Sequence, residues 1–336
     1  MRGNKILIIG AKGMLGQELV KVFSGDNNNE VIAWDKEEID ITDEKKVENK
    51  ISELKPEIII NAAAYNAVDK AENKDEYEIA KNINGQAPGY LAKIAKKLDA
   101  TLVHYSTDYV FDGLPALATP KALQAGEPAR NASHSDAGGP EMPEPGGCTH
   151  NCGTCGLHEG FTPQIGFDEC AKPNPINNYG ESKLMGEEAV QKNCKNYYII
   201  RLSKLFGQPA QAEGAKKSFF DVMLEAGRKN KSVKVIDEET SCFTYAPDLA
   251  KKTKEIIDSK KTFGIYHVVN SEPCTWYEAV LELYQQAKIK AEVVPVDADK
   301  FPRPAKRPFY SVLLNTKLNP LRSYKESLKE YLNDKK

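Results

Sequence analysis

Tyr179 and Lys183 carry the clearest chemical signal in this chain of 336 residues. They lie four positions apart, and side chains at this spacing share one face of a helix. An ammonium group beside a phenol favours the phenolate, so the pair predicts a tyrosine with a pKa below its usual value of about 10. Such a tyrosine can donate a proton to a carbonyl oxygen. The pair alone is weak evidence, because many surface helices contain it by chance.

A glycine-rich turn near the N-terminus makes the pair informative. Gly10, Gly13 and Gly16 follow a predicted strand and open a predicted helix. Glycines at these positions permit a tight turn and bring the backbone close to a pyrophosphate at the helix N-terminus. An acid about 20 residues further on can bind a ribose 2′-hydroxyl. The pattern therefore predicts a nicotinamide dinucleotide site that includes Gly10, Gly13, Met14, Leu15, Gly16 and Asp35.

The predicted cofactor is NADH or NADPH. The carboxylate of Asp35 would repel a 2′-phosphate and so favours NADH, whereas Lys36 beside it keeps NADPH open.

Two further segments belong to the predicted cofactor site. Ala62, Ala63 and Ala64 follow the third predicted strand, where small residues leave room for a ligand, although tight packing of a turn explains them equally well. Asp40 and Ile41 lie at a spacing where adenine could rest.

Elements alternating between strand and helix must position these residues. Short apolar runs alternate with helical patterns over residues 5–105, which predicts an α/β fold with a doubly wound, Rossmann-like parallel sheet. Residues 1–205 are predicted to form the NAD(P)-binding domain, and residues 206–336 mainly a smaller C-terminal substrate lobe. Residues 114–166 are rich in Pro, Gly, Ala and Ser without a sustained period, which predicts a long loop insertion.

Composition excludes several classes of partner. Lys plus Arg is 46 and Asp plus Glu is 48, so the net charge of −2 gives no electrostatic reason to expect nucleic acid as a partner. No apolar stretch approaches the roughly 20 residues that span a bilayer, and no leader pattern precedes the first strand. We therefore expect a cytoplasmic protein that binds neither nucleic acid nor membrane.

The motifs together resemble the extended short-chain dehydrogenase/reductases, and more narrowly the dTDP-4-dehydrorhamnose reductases. The matching blocks are residues 10–16, 61–72, 106–113 and 179–183, with shorter matches as far as residue 311. The resemblance implies reduction of the C4 keto group of a dTDP-4-keto-6-deoxy sugar by NAD(P)H, and a homodimer is possible.

The family's functional residues map onto this chain position by position. The resemblance implies that Tyr179 protonates the C4 oxygen and that Lys183 lowers the Tyr pKa and holds the nicotinamide ribose. Thr107 would hydrogen-bond the same oxygen. Val68 and Asp108 would contact the sugar, although a structural turn explains Asp108 equally well.

Two departures from the family pattern bear on the substrate. Lys204 stands where the family commonly has an aromatic residue, so a cation is expected to contact either the sugar or the diphosphate. The insertion separates Thr107 from Tyr179 by more than is usual in the family.

Tyr109 replaces the glutamate with which related dehydratases perform elimination, which favours simple reduction.

Three points stay open from sequence alone. Cys148, Cys152 and Cys155 in the insertion could ligate zinc or an iron–sulfur cluster, or could be incidental thiols, and no metal is assigned to the predicted site. The substrate could be another nucleotide sugar, for a reductase or an epimerase. A relative of the family is a non-catalytic regulatory subunit of methionine adenosyltransferase, and such a role is the third alternative.

Overall fold

Six parallel strands form the central sheet. The computed structural model describes residues 3–114, 165–211 and 217–335. The strands are β1 (Lys5–Ile9), β2 (Glu30–Trp34), β3 (Ile58–Asn61), β4 (Thr101–Thr107), β5 (Tyr197–Leu202) and β9 (Gly264–His267). Their order across the sheet is β2-β1-β3-β4-β5-β9, which changes direction beside β1, as in doubly wound sheets.

Apolar side chains cover both faces of this sheet. Leu7 and Ile9 point into one buried cluster, while Ile6 and Ile8 point into another on the opposite face. Alternate residues of a strand face opposite sides, so a strand that is buried on both sides must be apolar throughout. The structure confirms the predicted doubly wound, Rossmann-like α/β fold.

Helices flank the sheet on both faces. Asp43 caps one of them by accepting the N–H of Lys46. These helices are α1 (Met14–Ser24), α2 (Glu44–Leu54), α3 (Lys74–Ala80), α4 (Ala87–Leu98), α5 (Asn178–Asn193) and α7 (Ala246–Asp258).

The helical pattern within residues 75–98 predicts one long helix, whereas the structure has three consecutive helical pieces there. A π-helical segment, Lys81–Gln86, separates α3 from α4. Helix α5 packs very closely against this segment, since a Cβ at Gly186 would lie 2.1 Å from the carbonyl oxygen of Asn84. Sequence periodicity did not reveal the π-helical segment.

A smaller lobe lies beyond the sheet. Its core is rich in aromatic rings, including Phe206, Phe220 and Phe243. The lobe elements are α6 (Phe219–Lys229), α8 (Trp276–Ala287) and α9 (Tyr324–Asn333), the parallel pair β7 (Ser232–Ile236) and β10 (Glu292–Val296), and the short pair β6 (Leu205–Phe206) and β8 (Thr244–Tyr245).

The chain passes between the main sheet and the smaller lobe more than once. Helix α7 and strand β9 lie beyond residue 205, yet β9 is the edge strand of the main sheet and α7 packs on α1. The division at residue 205 therefore stays a prediction about function, and not every later element lies in the lobe. Over the described ranges, no helix is both long enough and apolar enough to cross a membrane.

A buried ion pair joins α5 to the sheet. Arg201 of β5 donates through Nε to Glu187 Oε1 at 2.9 Å and through a terminal nitrogen to Oε2 at 2.6 Å. Both side chains are almost completely buried. Removing one partner of such a pair leaves the other charge buried without compensation, which typically costs about 3–5 kcal/mol.

We expect Glu187→Gln to lower the free energy of unfolding by about 3 kcal/mol, because Arg201 would keep its charge without a carboxylate partner. Urea denaturation of the purified variant measures this change. Glu188→Gln is the matched control, since Glu188 is the exposed neighbour on the same helix. Equal stability of the two variants would contradict the anchoring role.

Candidate active site

A cavity of about 750 Å³ opens where the strands of the main sheet end. Its walls come from the carboxyl ends of β1, β3, β4 and β5 on one side and from the smaller lobe on the other. Ligands of doubly wound folds bind in this location. The predicted site residues among its lining are Gly10, Gly13, Met14, Leu15, Asp35, Ala62, Ala63, Ala64, Thr107, Tyr179, Lys183 and Lys204.

The glycine-rich turn forms the floor of the cofactor half. Gly10 has a φ of 79°, a left-handed conformation that favours glycine, and its N–H donates to the Trp34 carbonyl at 2.9 Å. Gly16 is not in the cavity lining: a Cβ there would lie 1.9 Å from the Gly10 carbonyl oxygen. It lets α1 pack against the turn, so that the helix N-terminus, which begins after Gly13, faces the cavity.

Asp35 lies at the end of β2 and lines the cavity. Its carboxylate accepts the backbone N–H of Lys12 at 2.9 Å and that of Lys36 at 2.9 Å. Each carboxylate oxygen has a second lone pair, so a ribose hydroxyl can still donate to it. Glu37 pairs with the Lys12 ammonium at 3.1 Å, and Glu38 accepts the Asp35 N–H at 2.8 Å. Carboxylates therefore predominate around this end of the cavity.

Two predicted cofactor residues lie elsewhere. Ile41 is buried in the hydrophobic cluster beneath the sheet. Asp40 accepts hydrogen bonds from the N–H and the hydroxyl of Thr42, which forms a local turn. Neither residue belongs to the cavity lining, so the structure gives no support for the predicted adenine contact.

Helix α5 brings Tyr179 and Lys183 to the cavity. The helix begins there because Asn177 caps it, accepting the Gly180 N–H at 2.7 Å. One turn later Lys183 is buried, and its ammonium donates to the carbonyl oxygen of Tyr105 on β4 at 2.5 Å. Burial lowers the pKa of Lys183 to about 8, so the side chain remains mostly protonated at neutral pH.

The expected lowering of the Tyr179 pKa by Lys183 is wrong. Burial raises the pKa of Tyr179 above its usual value, the charge of Asp108 raises it further, and an interaction with the Thr107 hydroxyl acts in the opposite direction. The ring also packs edge-on against Tyr109, with 5.9 Å between centroids. Tyr179 therefore holds its proton at neutral pH, which is the state that a proton donor needs.

Thr107 is the last residue of β4, and it is hydrogen-bonded to Asp108, which follows the strand. The Thr107 hydroxyl lines the cavity, donates to Asp108 at 3.0 Å and accepts the Tyr109 N–H at 3.2 Å. Asp108 also accepts the Ser311 hydroxyl at 2.6 Å. Burial raises the pKa of Asp108 to about 6. Asp108 lies behind Thr107, outside the cavity lining, which fits the turn explanation better than the predicted sugar contact.

Ser106 precedes this pair and also lines the cavity. Its hydroxyl oxygen is buried and has no hydrogen-bond partner within residues 3–114, 165–211 and 217–335. Val68 packs against the hydrophobic cluster that contains Tyr179 and does not line the cavity, so the structure gives no support for its predicted sugar contact.

Lys204 faces the cavity from the start of the lobe. Its ammonium lies 3.9 Å from the centroid of the Trp276 ring and 5.1 Å from that of Phe243. It donates to the carbonyl oxygen of Glu239 at 3.2 Å. Lys204 therefore lines the cavity, and it rests on aromatic rings contributed by other segments.

Several lining residues from the lobe were missed by sequence reasoning. They lie close to helix starts in the second half of the chain, where no motif marks them as binding residues. An aromatic residue at such a position is more often part of a core, and only the packing of the lobe against the sheet brings these side chains to the cavity. They are Lys217, Ser218, Phe219, Phe243 and Trp276.

The cysteines of the insertion, Cys148, Cys152 and Cys155, lie outside the described residues.

Comparison with known proteins agrees with this geometry. The family model described as the RmlD substrate binding domain matches residues 4–126 and 157–336. The spore coat polysaccharide biosynthesis protein SpsK of Bacillus subtilis is 28% identical over 335 residues, with 98% of each chain covered.

Solved structures extend the comparison. The dTDP-4-dehydrorhamnose reductase of Clostridium acetobutylicum is 33% identical, with a TM-score of 0.78 and 98% of each chain covered. The dTDP-4-dehydrorhamnose reductase of Bacillus anthracis, solved in complex with NADP, is 27% identical, with a TM-score of 0.78 and 99% of each chain covered. The chain therefore belongs to the RmlD family, the family of the dTDP-4-dehydrorhamnose reductases.

Proposed function

We propose that this protein reduces the C4 keto group of dTDP-4-dehydro-6-deoxy-L-mannose to give dTDP-L-rhamnose. The observation that carries the proposal is that Tyr179, Lys183 and Thr107 line the same cavity as the glycine-rich turn. A proton donor and a dinucleotide site in one cavity are what carbonyl reduction requires. The full-length similarity to dTDP-4-dehydrorhamnose reductases supports the same substrate.

The residues around the turn fit a nicotinamide dinucleotide. Gly10 and Gly13 leave the backbone open to a pyrophosphate, and the N-terminus of α1, which has no side-chain cap from the described part of the chain, faces it. Asp35 is positioned for the adenosine ribose, and Ala62–Ala64 leave a smooth wall beside the turn. When bound, NAD(P)H supplies the hydride.

The chain's own residues supply the proton and orient the carbonyl. Tyr179 keeps its proton until negative charge develops on the C4 oxygen and then donates it. Thr107 lies beside Tyr179 and donates a hydrogen bond to the same oxygen, turning from Asp108 to do so. The Lys183 ammonium would hold the nicotinamide ribose of the bound cofactor.

Tyr179→Phe should lower kcat by about 10²- to 10⁴-fold, because it removes the proton donor and leaves the ring in place. NADH or NADPH oxidation at the reduced nicotinamide absorbance, with dTDP-4-dehydrorhamnose as substrate, measures the rate. Cofactor affinity should stay nearly unchanged. Tyr90→Phe, on the outer part of α4, is the matched control.

Two outcomes would count against these assignments. Near-normal kcat in Tyr179→Phe would remove Tyr179 from the acid role. Cofactor binding by the wild-type protein without any turnover would favour a different nucleotide sugar or a regulatory subunit.

Asp35→Asn should shift the ratio of kcat/KM for NADPH over NADH upward by about 10-fold or more, since it removes one negative charge from the expected position of a 2′-phosphate. Steady-state rates with both cofactors give the ratio. Glu48→Gln removes an exposed carboxylate that pairs with Lys97 on the outer helices and serves as control. An unchanged ratio would show that Asp35 does not distinguish the ribose 2′-hydroxyl of NADH from the 2′-phosphate of NADPH.

The expected homodimer and the cytoplasmic location stay predictions. The substrate class follows from the family, whereas the identity of the hexose depends on the lobe residues around Lys204.

A further inference from the structure

Lys204 is held in an unusual way for a cavity residue. Its backbone has a φ of 39°, the left-handed region that a residue with a side chain seldom adopts. The backbone nevertheless leads directly into the pairing of β6 with β8, because the Lys204 carbonyl accepts the Thr244 N–H at 3.3 Å. The side chain then extends across the Trp276 ring toward the carbonyl oxygen of Glu239.

A hydrogen bond and an ion pair of Glu239 hold the two groups that contact the Lys204 ammonium, the Trp276 ring and the Glu239 carbonyl. The Glu239 carboxylate accepts the indole N–H of Trp276 at 3.0 Å and is paired with Arg303. The indole face beneath Lys204 and the carbonyl oxygen beside it are therefore held by the same residue. A rigid support of this kind positions a donor accurately for a ligand.

The Lys204 ammonium can donate further hydrogen bonds to a ligand. An ammonium group carries three N–H donors. Over the described ranges, one of them has a hydrogen bond, to Glu239, and no carboxylate lies within ion-pair distance of Lys204. Loss of hydration lowers the pKa of Lys204 to about 8, although Cys274, Asp108, Glu239 and Cys242 act in the opposite direction. A partly desolvated donor gains from a partner in the cavity.

The neighbours place this donor at the sugar end of the cavity. Asp108 is close enough to influence Lys204 electrostatically, and Asp108 is bonded to Thr107, which lies beside Tyr179. The donor therefore approaches the part of the ligand that is next to the reacting carbonyl.

We propose that Lys204 donates a hydrogen bond to a ring hydroxyl of the hexose and thereby selects sugars that carry this hydroxyl. The inference rests on the proposed function and deepens it. An aromatic residue would recognise the apolar face of a sugar by packing, whereas the ammonium covers the Trp276 face and recognises an oxygen instead.

A neutral hydroxyl suits the surroundings better than a phosphate group. The nearby buried carboxyl of Asp108 acts electrostatically on Lys204. Glu239 is balanced by Arg303. The Asp108 carboxyl offsets part of the positive charge of Lys204, which lowers the gain from a dianionic diphosphate there.

The test compares Lys204→Met with the wild-type enzyme on three substrates: dTDP-4-dehydrorhamnose and its 2-deoxy and 3-deoxy analogues. Wild-type enzyme should lose about 10- to 100-fold in kcat/KM on the analogue that lacks the recognised hydroxyl, since a donor to that oxygen is left without a partner. Lys204→Met should lose a similar factor on the parent substrate and discriminate little between parent and analogue.

Further variants keep the result interpretable. Lys204→Arg retains donors and charge and should keep part of the discrimination. Lys93→Met, at the exposed pair with Glu44, is the matched control and should behave as wild type. Denaturation midpoints and NADH affinity check that Lys204→Met is folded, and calorimetry should give the same dTDP affinity in Lys204→Met and wild type.

The outcomes separate this inference from the proposed function. Wild-type turnover of all three substrates with equal efficiency would overturn the inference alone, as would unchanged discrimination in Lys204→Met. Weaker binding of dTDP by Lys204→Met would overturn it in favour of a diphosphate contact. Failure of the wild-type enzyme to turn over the parent substrate would overturn the proposed function and, with it, this inference.

Discussion

The anchoring of α5 against the sheet is the interaction on which the candidate site depends. Tyr179, Lys183 and Glu187 follow one another at intervals of four residues, so one face of the helix carries all three. Glu187 is bound by Arg201 of β5, and Lys183 by the Tyr105 carbonyl of β4. Any sliding of the helix would leave buried charges without partners. Tyr179 is thereby fixed beside Thr107, despite the insertion between them.

The cofactor half of the cavity relies on close backbone contacts rather than on charge. The helix α1 can approach the turn because Gly16 has no side chain, and Gly10 adopts a conformation that favours glycine. The parallel strands end at one edge of the sheet, so this turn and the ends of β4 and β5 open into the same space. Cofactor binding and proton donation can therefore occupy neighbouring walls of one cavity.

The lobe contributes the wall of the cavity that lies opposite the ends of the sheet strands. Phe243 belongs to its aromatic core and Trp276 packs against that core, and Lys204 rests on both rings. Side chains of the lobe can change without altering the strand ends, since one fold can carry different sites. The replacement of the family's usual aromatic residue by Lys204 is a change on the lobe side of the cavity.

The sequence by itself determined the features that depend on near neighbours in the chain: the strand, turn and helix around Gly10, the apolar strands, and a Tyr and a Lys on one helix face. Only the tertiary structure decided the features set by distant elements. Ser311 binds Asp108 across 203 positions, Ile41 lies in the core, and Trp276 reaches the cavity. The raised pKa of Tyr179 belongs with these. Spacing fixes which side chains share a face, whereas burial and desolvation depend on what packs over that face.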